Sequence, residues 1–382
     1  MRKILRAACV IAALAAPLAF GADKPDPKPI DIPTQVQVEK KDRPTLEVVF
    51  VLDTTSSMGA LIEGAKEKIW SIASRMASGK PTPHIRVGLV AFRDRGDAYI
   101  TKRFDLTDDL DTVYKNLKAF QAEGGGDGPE HVGQGLGEAV KLMSWSQDAH
   151  AAKMIFLVGD APPHDDYNDQ FNSLKMAKAA IAKGIVVNTI RCGAQADTEA
   201  SFRTIASLAD GSFDSIGQEG GMVAAATPFD GELAKLNSAV ADTSVYAGRS
   251  DARAEGETYK AEQKTMAPGA SADRLAFRSR SGMVASGGGG LSAVDLTAAP
   301  EKVAQMKADD LPENLRKLPT EKQVEFLHAQ QAERQQLEAK VLEVSKKRDA
   351  WMAKNATDKK DSFDTRVFES VKKQGAKVGV TY

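Results

Sequence analysis

The chain has 382 residues, of which 42% are hydrophobic and 27% are charged, so its composition supports a sizeable core and excludes global disorder. The formal net charge is −1 and no basic stripe runs along the sequence, which argues against general nucleic-acid binding. Of the two cysteines, Cys9 lies in the apolar start of the chain, so Cys192 is left without a partner for an internal disulfide.

The start of the chain has the pattern of a secretory signal peptide over residues 1–21. A basic segment is followed by an apolar run over residues 7–20, and Ala-Phe-Gly at 19–21 offers a small-x-small cleavage site. The apolar run is too short to span a bilayer stably. We therefore expect an exported protein, periplasmic or secreted, with no transmembrane segment after cleavage.

Residues 22–45 are rich in Pro, Lys and Asp and predict an extended segment that leads into the first domain. From residue 46 onward, strand and helix patterns alternate. Continuous apolar runs, typical of strands that are covered on both faces, occur at 46–52, 85–92, 153–159 and 185–192. Helical spacing of apolar residues occurs at 61–76, 109–120, 130–145, 171–183, 199–208 and 228–240.

Two further strands complete the set. One is predicted at 98–104, after a charged turn (RDRGD) that is short enough for a hairpin, and the other is the short segment 212–216. This alternation predicts an α/β domain over residues 46–245, doubly wound around a mostly parallel sheet with helices on both faces. In such sheets, ligands bind beyond the carboxyl ends of the strands.

After residue 245 the composition changes. Residues 246–300 contain few large apolar side chains and the run SGGGG, which predicts a flexible linker. Residues 301–382 predict a helical C-terminal region that packs on the domain or docks a partner, and the oligomeric state stays open. Its apolar stripe consists of Leu337, Val341, Val344, Arg348 and Trp351.

Oxygen-bearing side chains gather in three segments: DTTSS at 53–57, GGGDGPE at 124–130 and GDAPPHDD at 159–166. The first and third follow strands, so a parallel sheet brings them to one edge. Carboxylates that are crowded there repel each other unless a cation intervenes, and hard divalent ions prefer such oxygens. In a tight loop, residues at i, i+2 and i+4 can face one point, which selects Asp53, Thr55 and Ser57.

These motifs resemble the metal-ion-dependent adhesion site of von Willebrand factor A (vWA) domains, whose signature is D-x-S-x-S with a distant Thr and a distant Asp. The resemblance covers about residues 46–245 and implies a six-stranded sheet with one antiparallel edge strand, the third in sequence. Asp127 stands where many members carry Thr, and the sequences G-G-G-D-x-P-E and D-A-P-P-H resemble a subset of the family. The implied metal residues are Asp53, Thr55, Ser57, Asp127 and Asp160.

The resemblance implies a non-enzymatic binding protein of the adhesion type. It would hold Mg²⁺, with Mn²⁺ and Ca²⁺ as alternatives, and a partner protein's Asp or Glu would complete the coordination. The alternative is a Mg²⁺-dependent hydrolase in which Glu130 or His164 acts as the base toward a metal-bound water. Otherwise we expect Glu130 to be a first-turn helix residue and His164 a loop residue.

Two other enzyme classes that begin with a strand do not fit the sequence. A haloacid-dehalogenase-type phosphatase needs a second Asp two residues after its nucleophile, and Thr55 occupies that position. A Rossmann dehydrogenase needs a Gly-rich turn directly after its first strand, and this chain has DTTSSMG there.

Overall fold

The computed structural model describes residues 43–126, 128–148, 150–220, 226–281, 290–355 and 362–382. The predicted signal peptide, most of the predicted lead-in and Asp127 lie outside the described residues.

A six-stranded sheet forms the centre of the fold, with the strand order β3-β2-β1-β4-β5-β6. Strand β1 pairs in parallel with β2 and β4, β4 with β5 and β5 with β6, whereas β3 runs antiparallel to β2 at one edge. The predicted doubly wound α/β class with one antiparallel edge strand is confirmed. The strands are β1 (Thr45–Asp53), β2 (His84–Phe92), β3 (Thr101–Thr107), β4 (Ala151–Gly159), β5 (Ile185–Cys192) and β6 (Phe213–Ile216).

Helices pack on both faces of this sheet and continue to the end of the chain. The first six are α1 (Gly59–Met76), α2 (Leu110–Lys118), α3 (Val132–Leu142), α4 (Ser173–Ala182), α5 (Ala196–Leu208) and α6 (Asp230–Asp242). The others are α7 (Ser250–Lys264), α8 (Pro268–Ser281), α9 (Glu313–Arg316), α10 (Thr320–Asn355) and α11 (Phe363–Lys377). A separate two-stranded ribbon joins β7 (Tyr246–Ala247) and β8 (Val294–Asp295).

The continuous apolar strands are explained by two cores, one on each face of the sheet. Alternate residues of β1, such as Val48 and Phe50, join a core with α1, α2, α8 and α11. Their neighbours Val49 and Val51 join a second core with α3, α4 and α5. Because both faces are covered, neither set of side chains along β1 meets water.

The last helix packs against the first strand. Phe363, Val367 and Val371 of α11 are buried in the same core as Phe50, and the Phe50 and Phe363 ring centroids lie 6.1 Å apart. The backbone N–H of Phe363 donates to the carbonyl of Gly220, 3.1 Å away, in the segment that follows β6. The helical C-terminal region is therefore part of the packing of the sheet.

The prediction of a flexible linker over residues 246–300 was wrong for the segments that form the helices α7 and α8. Helix α8 packs on α1, and Phe277 contacts Trp70 with ring centroids 6.0 Å apart. Much of its buried surface comes from small residues, among them Ala270 and Ala272. Small side chains let two helices approach closely, but they give a weak hydrophobic pattern in a sequence. The SGGGG segment lies outside the described residues, except for Gly290.

A buried arginine fastens α8 to the rest of the fold. Arg274 is 2% exposed and donates to both carboxylate oxygens of Asp111 in α2, at 2.7 and 3.2 Å, and to the side chain of Asn237 in α6 at 2.8 Å. Burial opposes ionisation of Asp111, but the guanidinium groups of Arg274 and Arg278 hold the pKa of that carboxyl below its usual range. The pair joins residues that are 163 positions apart.

Two further arginines fasten α10 in the same way. Arg348 donates to Asp230 and to Asp273, each at 2.7 Å. Arg334 donates to Asp295 of β8 at 2.9 Å. Because removal of one partner leaves a buried uncompensated charge, these contacts make the position of the helical region specific.

The Asp111→Ala substitution tests the role of the buried pair. It is expected to lower the free energy of unfolding by about 3–5 kcal/mol, because Arg274 would stay buried without its counter-charge. Urea denaturation followed by circular dichroism measures this change. The matched control is Asp251→Ala, whose side chain is 69% exposed and pairs with an exposed arginine, and which should change stability by less than about 0.5 kcal/mol. Equal effects of the two substitutions would contradict the assigned role.

Candidate metal centre

The first group of predicted site residues lies where β1 ends. Asp53 is 0% exposed, and its Oδ1 atom accepts hydrogen bonds from the Thr55 backbone N–H at 2.9 Å and the Thr55 hydroxyl at 2.6 Å. The Thr55 hydroxyl also lies 3.4 Å from the Ser57 hydroxyl. The side chains of the intervening residues face elsewhere. The Thr54 hydroxyl donates a hydrogen bond to the carbonyl of Phe92, and the Ser56 hydroxyl donates one to the carbonyl of Gly124. The i, i+2, i+4 residues thus form one chain of oxygens.

Asp160 follows the neighbouring strand β4 and comes close to this chain of oxygens. Gly159, directly before it, leaves room for the Asp53 side chain, because a Cβ at that position would lie 3.2 Å from the Asp53 Cβ and 3.3 Å from its Oδ2. The main-chain carbonyl of Asp160 accepts a hydrogen bond from the Thr198 hydroxyl at 2.8 Å. Its carboxylate accepts a hydrogen bond from the side-chain amide of Gln218 at 2.6 Å. The parallel pairing of β1 with β4 therefore brings Asp53 and Asp160 to the same edge.

The glycine loop that precedes Asp127 packs directly on the hydroxyl loop. Gly124 and Gly125 have φ values of +79° and +84°, a backbone conformation that residues other than glycine rarely adopt. A Cβ on Gly125 would lie 3.2 Å from the Cβ of Thr55 and 3.4 Å from Oε1 of Glu130. The Gly125 N–H donates to the carboxylate of Asp97 at 3.2 Å. Asp127 is outside the described residues, so its predicted role as a ligand stays a prediction.

Glu130 differs from the expectation of a first-turn helix residue. Helix α3 begins two residues later, and the Glu130 backbone instead pairs with the other motif loop. Its N–H donates to the carbonyl of Pro162 at 2.9 Å, and its carbonyl accepts from the N–H of His164 at 2.8 Å. The side chain is 3% exposed, and Oε2 has no hydrogen-bond partner among the described residues. The backbone pairing joins the P-E and P-P-H motifs, a link that the sequence alone did not reveal.

The electrostatics of this edge are dominated by buried negative charge. Burial raises the pKa of Asp53 to about 7, with hydrogen bonds from Thr55 opposing the rise and the Asp160 charge adding to it. Burial also raises the pKa of Glu130 to about 9, and the charges of Asp53, Asp94, Asp97 and Asp160 reinforce the effect. Within the described ranges, buried oxygens of three carboxylates lack a hydrogen-bond partner: Asp53 Oδ2, Asp94 Oδ1 and Glu130 Oε2. A dication would compensate this charge.

The donor atoms suit a hard divalent ion. In the described part of the chain they are the carboxylates of Asp53 and Asp160 and the hydroxyls of Thr55 and Ser57, all oxygen donors of the kind that Mg²⁺, Mn²⁺ and Ca²⁺ prefer. Across the same described residues, no three His, Cys, Asp or Glu side chains are grouped so that they could hold a metal ion. The hydroxyl groups are thus essential members of the candidate set.

A layer of side chains from the RDRGD turn supports the site. Arg93 is buried and donates to the carbonyls of Thr54 at 3.1 Å and Gln121 at 2.8 Å. Its guanidinium also lies over the ring of Tyr99, 4.3 Å from the centroid. The Tyr99 hydroxyl in turn lies 2.8 Å from the Thr54 hydroxyl. In the sequence this segment has only the pattern of a charged turn, because nothing in its composition distinguishes a buried arginine from a solvated one.

His164 lies in the loop after β4, as expected. Its ring stacks on Tyr167, with centroids 4.2 Å apart, and its Nδ1 lies 2.8 Å from the Asp166 carboxylate. The Tyr167 hydroxyl donates to the carboxylate of Asp94. His164 is therefore part of a cluster at the side of the candidate donor set.

The raised pKa values predict how the stability of the metal-free protein varies with pH. A carboxyl whose pKa is higher in the folded than in the unfolded state stabilises the fold fully below about pH 4. That contribution is lost as the pH rises through about 7 for Asp53 and about 9 for Glu130. Thermal melting in EDTA across this range should therefore show falling stability, and excess Mg²⁺ should reduce the fall.

The variant pair Asp53→Asn and Glu130→Gln provides the control for this pH series. The amide side chains cannot ionise, so the double variant should show a smaller loss of stability with rising pH than the unmodified chain. An identical loss in both proteins would assign the pH dependence to other groups.

Comparisons with known proteins show what the central part of the chain is similar to. Residues 47–223 match the family model described as von Willebrand factor A domain. The chain is 33% identical over 132 residues to the human von Willebrand factor A domain-containing protein 7. That match covers 34% of this chain and 14% of the human protein, so it concerns the domain and not the whole relative.

Solved structures of low sequence identity are also similar. BatB from Bacteroides thetaiotaomicron, described as a conserved hypothetical protein, is 16% identical with a TM-score of 0.33, over 45% of this chain and 90% of that one. Proximal thread matrix protein 1 from the mussel byssus, solved with a zinc-occupied MIDAS motif, is 18% identical with a TM-score of 0.35, over 45% and 42% of the two chains. In the described part of this chain, none of the helices is both long and apolar enough to cross a membrane.

Proposed function

We propose that the von Willebrand factor A domain of this chain is a binding module that holds one divalent metal ion at the edge of its sheet and recognises a partner protein through it. The observation that carries the proposal is the buried carboxylate of Asp53. Its Oδ1 accepts a hydrogen bond from the Thr55 hydroxyl, and its Oδ2 is buried without a hydrogen-bond partner among the described residues. An orphaned buried acceptor of this kind is costly unless a proton or a cation satisfies it.

The ion would be Mg²⁺, with Mn²⁺ or Ca²⁺ as substitutes. Asp53, Thr55, Ser57, Asp127 and Asp160 would hold it, directly or through water, since Mg²⁺ commonly keeps several waters. The ion supplies a positive charge with an exchangeable position. Asp127 would add a negative charge relative to a threonine and would strengthen binding of the dication.

The partner would present an Asp or Glu side chain to the exchangeable position. Ser57 is exposed, so one side of the site is open to solvent and can be approached by another protein. Nothing in this mode of binding requires the chain to act as an enzyme.

The setting would be outside the cytoplasm. Residues 1–21 would direct export and be removed, which leaves a periplasmic or secreted protein. Mass spectrometry of the protein purified from its native host would show a mature chain that begins after Gly21, and a chain that retains residues 1–21 would contradict export by cleavage.

Isothermal titration calorimetry tests the metal site. The unmodified protein should bind one Mg²⁺, and Asp53→Asn should weaken the affinity by at least about tenfold, because the substitution removes a charged ligand. The control Asp242→Asn alters an exposed carboxylate that pairs with Lys264 on another part of the surface, and it should leave the affinity unchanged. No heat with Mg²⁺, Mn²⁺ or Ca²⁺ would refute the proposed site.

Capture from envelope extract tests the partner. Proteins that are retained by the unmodified chain in Mg²⁺, but not in EDTA and not by Asp53→Asn, are the expected partners. Retention of the same set under all conditions would refute recognition through the metal.

A turnover assay distinguishes the hydrolase alternative from the binding module. Phosphoester or peptide hydrolysis that requires Mg²⁺ and disappears in Asp160→Ala would support the enzyme, with Glu130 or His164 as the base. We expect no such turnover, because a binding module needs no base beside its metal.

A further inference from the structure

Gln218 contacts two residues of the candidate metal centre, although no pattern in the sequence singles it out. It follows β6 by two residues, and its side-chain nitrogen donates to two oxygens that belong to different loops. One is the carboxylate oxygen Oδ2 of Asp160, at 2.6 Å, and the other is the main-chain carbonyl of Ser57, at 3.1 Å. A main-chain carbonyl can only accept a hydrogen bond, so the NH₂ end of the amide faces both oxygens.

The other end of the amide rests against a glycine. Gly193, directly after β5, has a φ of +74°, and a Cβ at that position would lie 2.3 Å from Oε1 of Gln218. The N–H of Gly193 donates to the carbonyl of Ile216, the last residue of β6, at 3.0 Å. The turn after β5 is thus held beside the turn after β6 and leaves room for the Gln218 carbonyl. Although the Gln218 side chain is exposed, both the nitrogen and the oxygen of its amide have defined neighbours.

We infer that Gln218 is a positioning residue for the metal centre. It holds the Asp160 carboxylate in one orientation and fixes it relative to the loop that carries Thr55 and Ser57. This inference rests on the proposed function, since it assigns Gln218 a role toward the ion that these residues would hold. The hydrogen bond to Oδ2 limits the rotation of the Asp160 carboxylate, whose remaining lone pairs would be offered to the ion or to a water bound to it.

The physical consequence is a preference for the smaller ion. Hydrogen bonds that orient a ligating carboxylate typically contribute 10–100-fold in metal affinity. Mg²⁺ demands near-ideal octahedral geometry, whereas Ca²⁺ accepts variable coordination at longer distances. A fixed Asp160 carboxylate therefore favours Mg²⁺ over Ca²⁺. Without the hydrogen bond from Gln218, the carboxylate would discriminate less between the two ions.

The test is the Gln218→Met substitution, which keeps the length of the side chain and removes its hydrogen-bond donors. Calorimetric titration with MgCl₂ and with CaCl₂ measures the two affinities, and thermal melting in EDTA measures the stability of the metal-free protein. We expect the Kd for Mg²⁺ to rise about tenfold and the Kd for Ca²⁺ to rise by a smaller factor. The melting temperature in EDTA should be unchanged, because Gln218 is exposed.

The matched control is Gln147→Met, which alters another exposed glutamine in the loop before β4, at the opposite end of that strand. It should change neither affinity. A Kd for Mg²⁺ that is unchanged in Gln218→Met while the unmodified protein binds Mg²⁺ would overturn the inference and leave the proposed function intact. Equal losses for both ions together with a lower melting temperature would also overturn it, because they indicate a structural role. An unmodified protein that binds neither ion would overturn both proposals.

Discussion

The arrangement of the domain depends on one constraint, which is the burial of a carboxylate at the end of a parallel strand. Asp53 closes the apolar strand β1 and has no exposed surface, so its negative charge must be neutralised or compensated by neighbours. The surrounding groups respond to that requirement. Two hydrogen bonds from Thr55 satisfy one oxygen, and Gly159 in the neighbouring strand leaves room for the Asp53 side chain. The parallel register of β1 and β4 makes this crowding unavoidable, because both strands end at the same edge.

The sheet and its edge could be predicted because their signals are local. Continuous apolar runs mark strands covered on both faces. The i, i+2, i+4 spacing predicted that Asp53, Thr55 and Ser57 face one point, and in the structure hydrogen bonds link their side chains. The buried role of Glu130 could not be predicted, because it arises from backbone pairing with a loop more than thirty residues away. The same holds for Gln218, whose partners lie in the loops that follow β1 and β4.

The helical region was harder to predict, for reasons of composition. Helix α8 packs through alanines and through the buried arginine Arg274, and neither feature gives a strong hydrophobic pattern. Helix α6 follows the last strand of the sheet in sequence, yet its Leu233 packs with α8 and α10. The position beside α1 on the sheet is taken by α11. The region after the sheet is therefore a structural partner of the domain and not an appendage.

The packing of α11 on β1 also has a consequence for biosynthesis. The inner surface that Phe50 contributes is made early during translation, whereas Phe363 and Val371, which cover it, are made more than three hundred residues later. Until then, that surface stays open to water and to other chains. The sheet can reach its final packing only after these residues have been synthesised, so the growing chain would need to be kept from aggregating until α11 has formed.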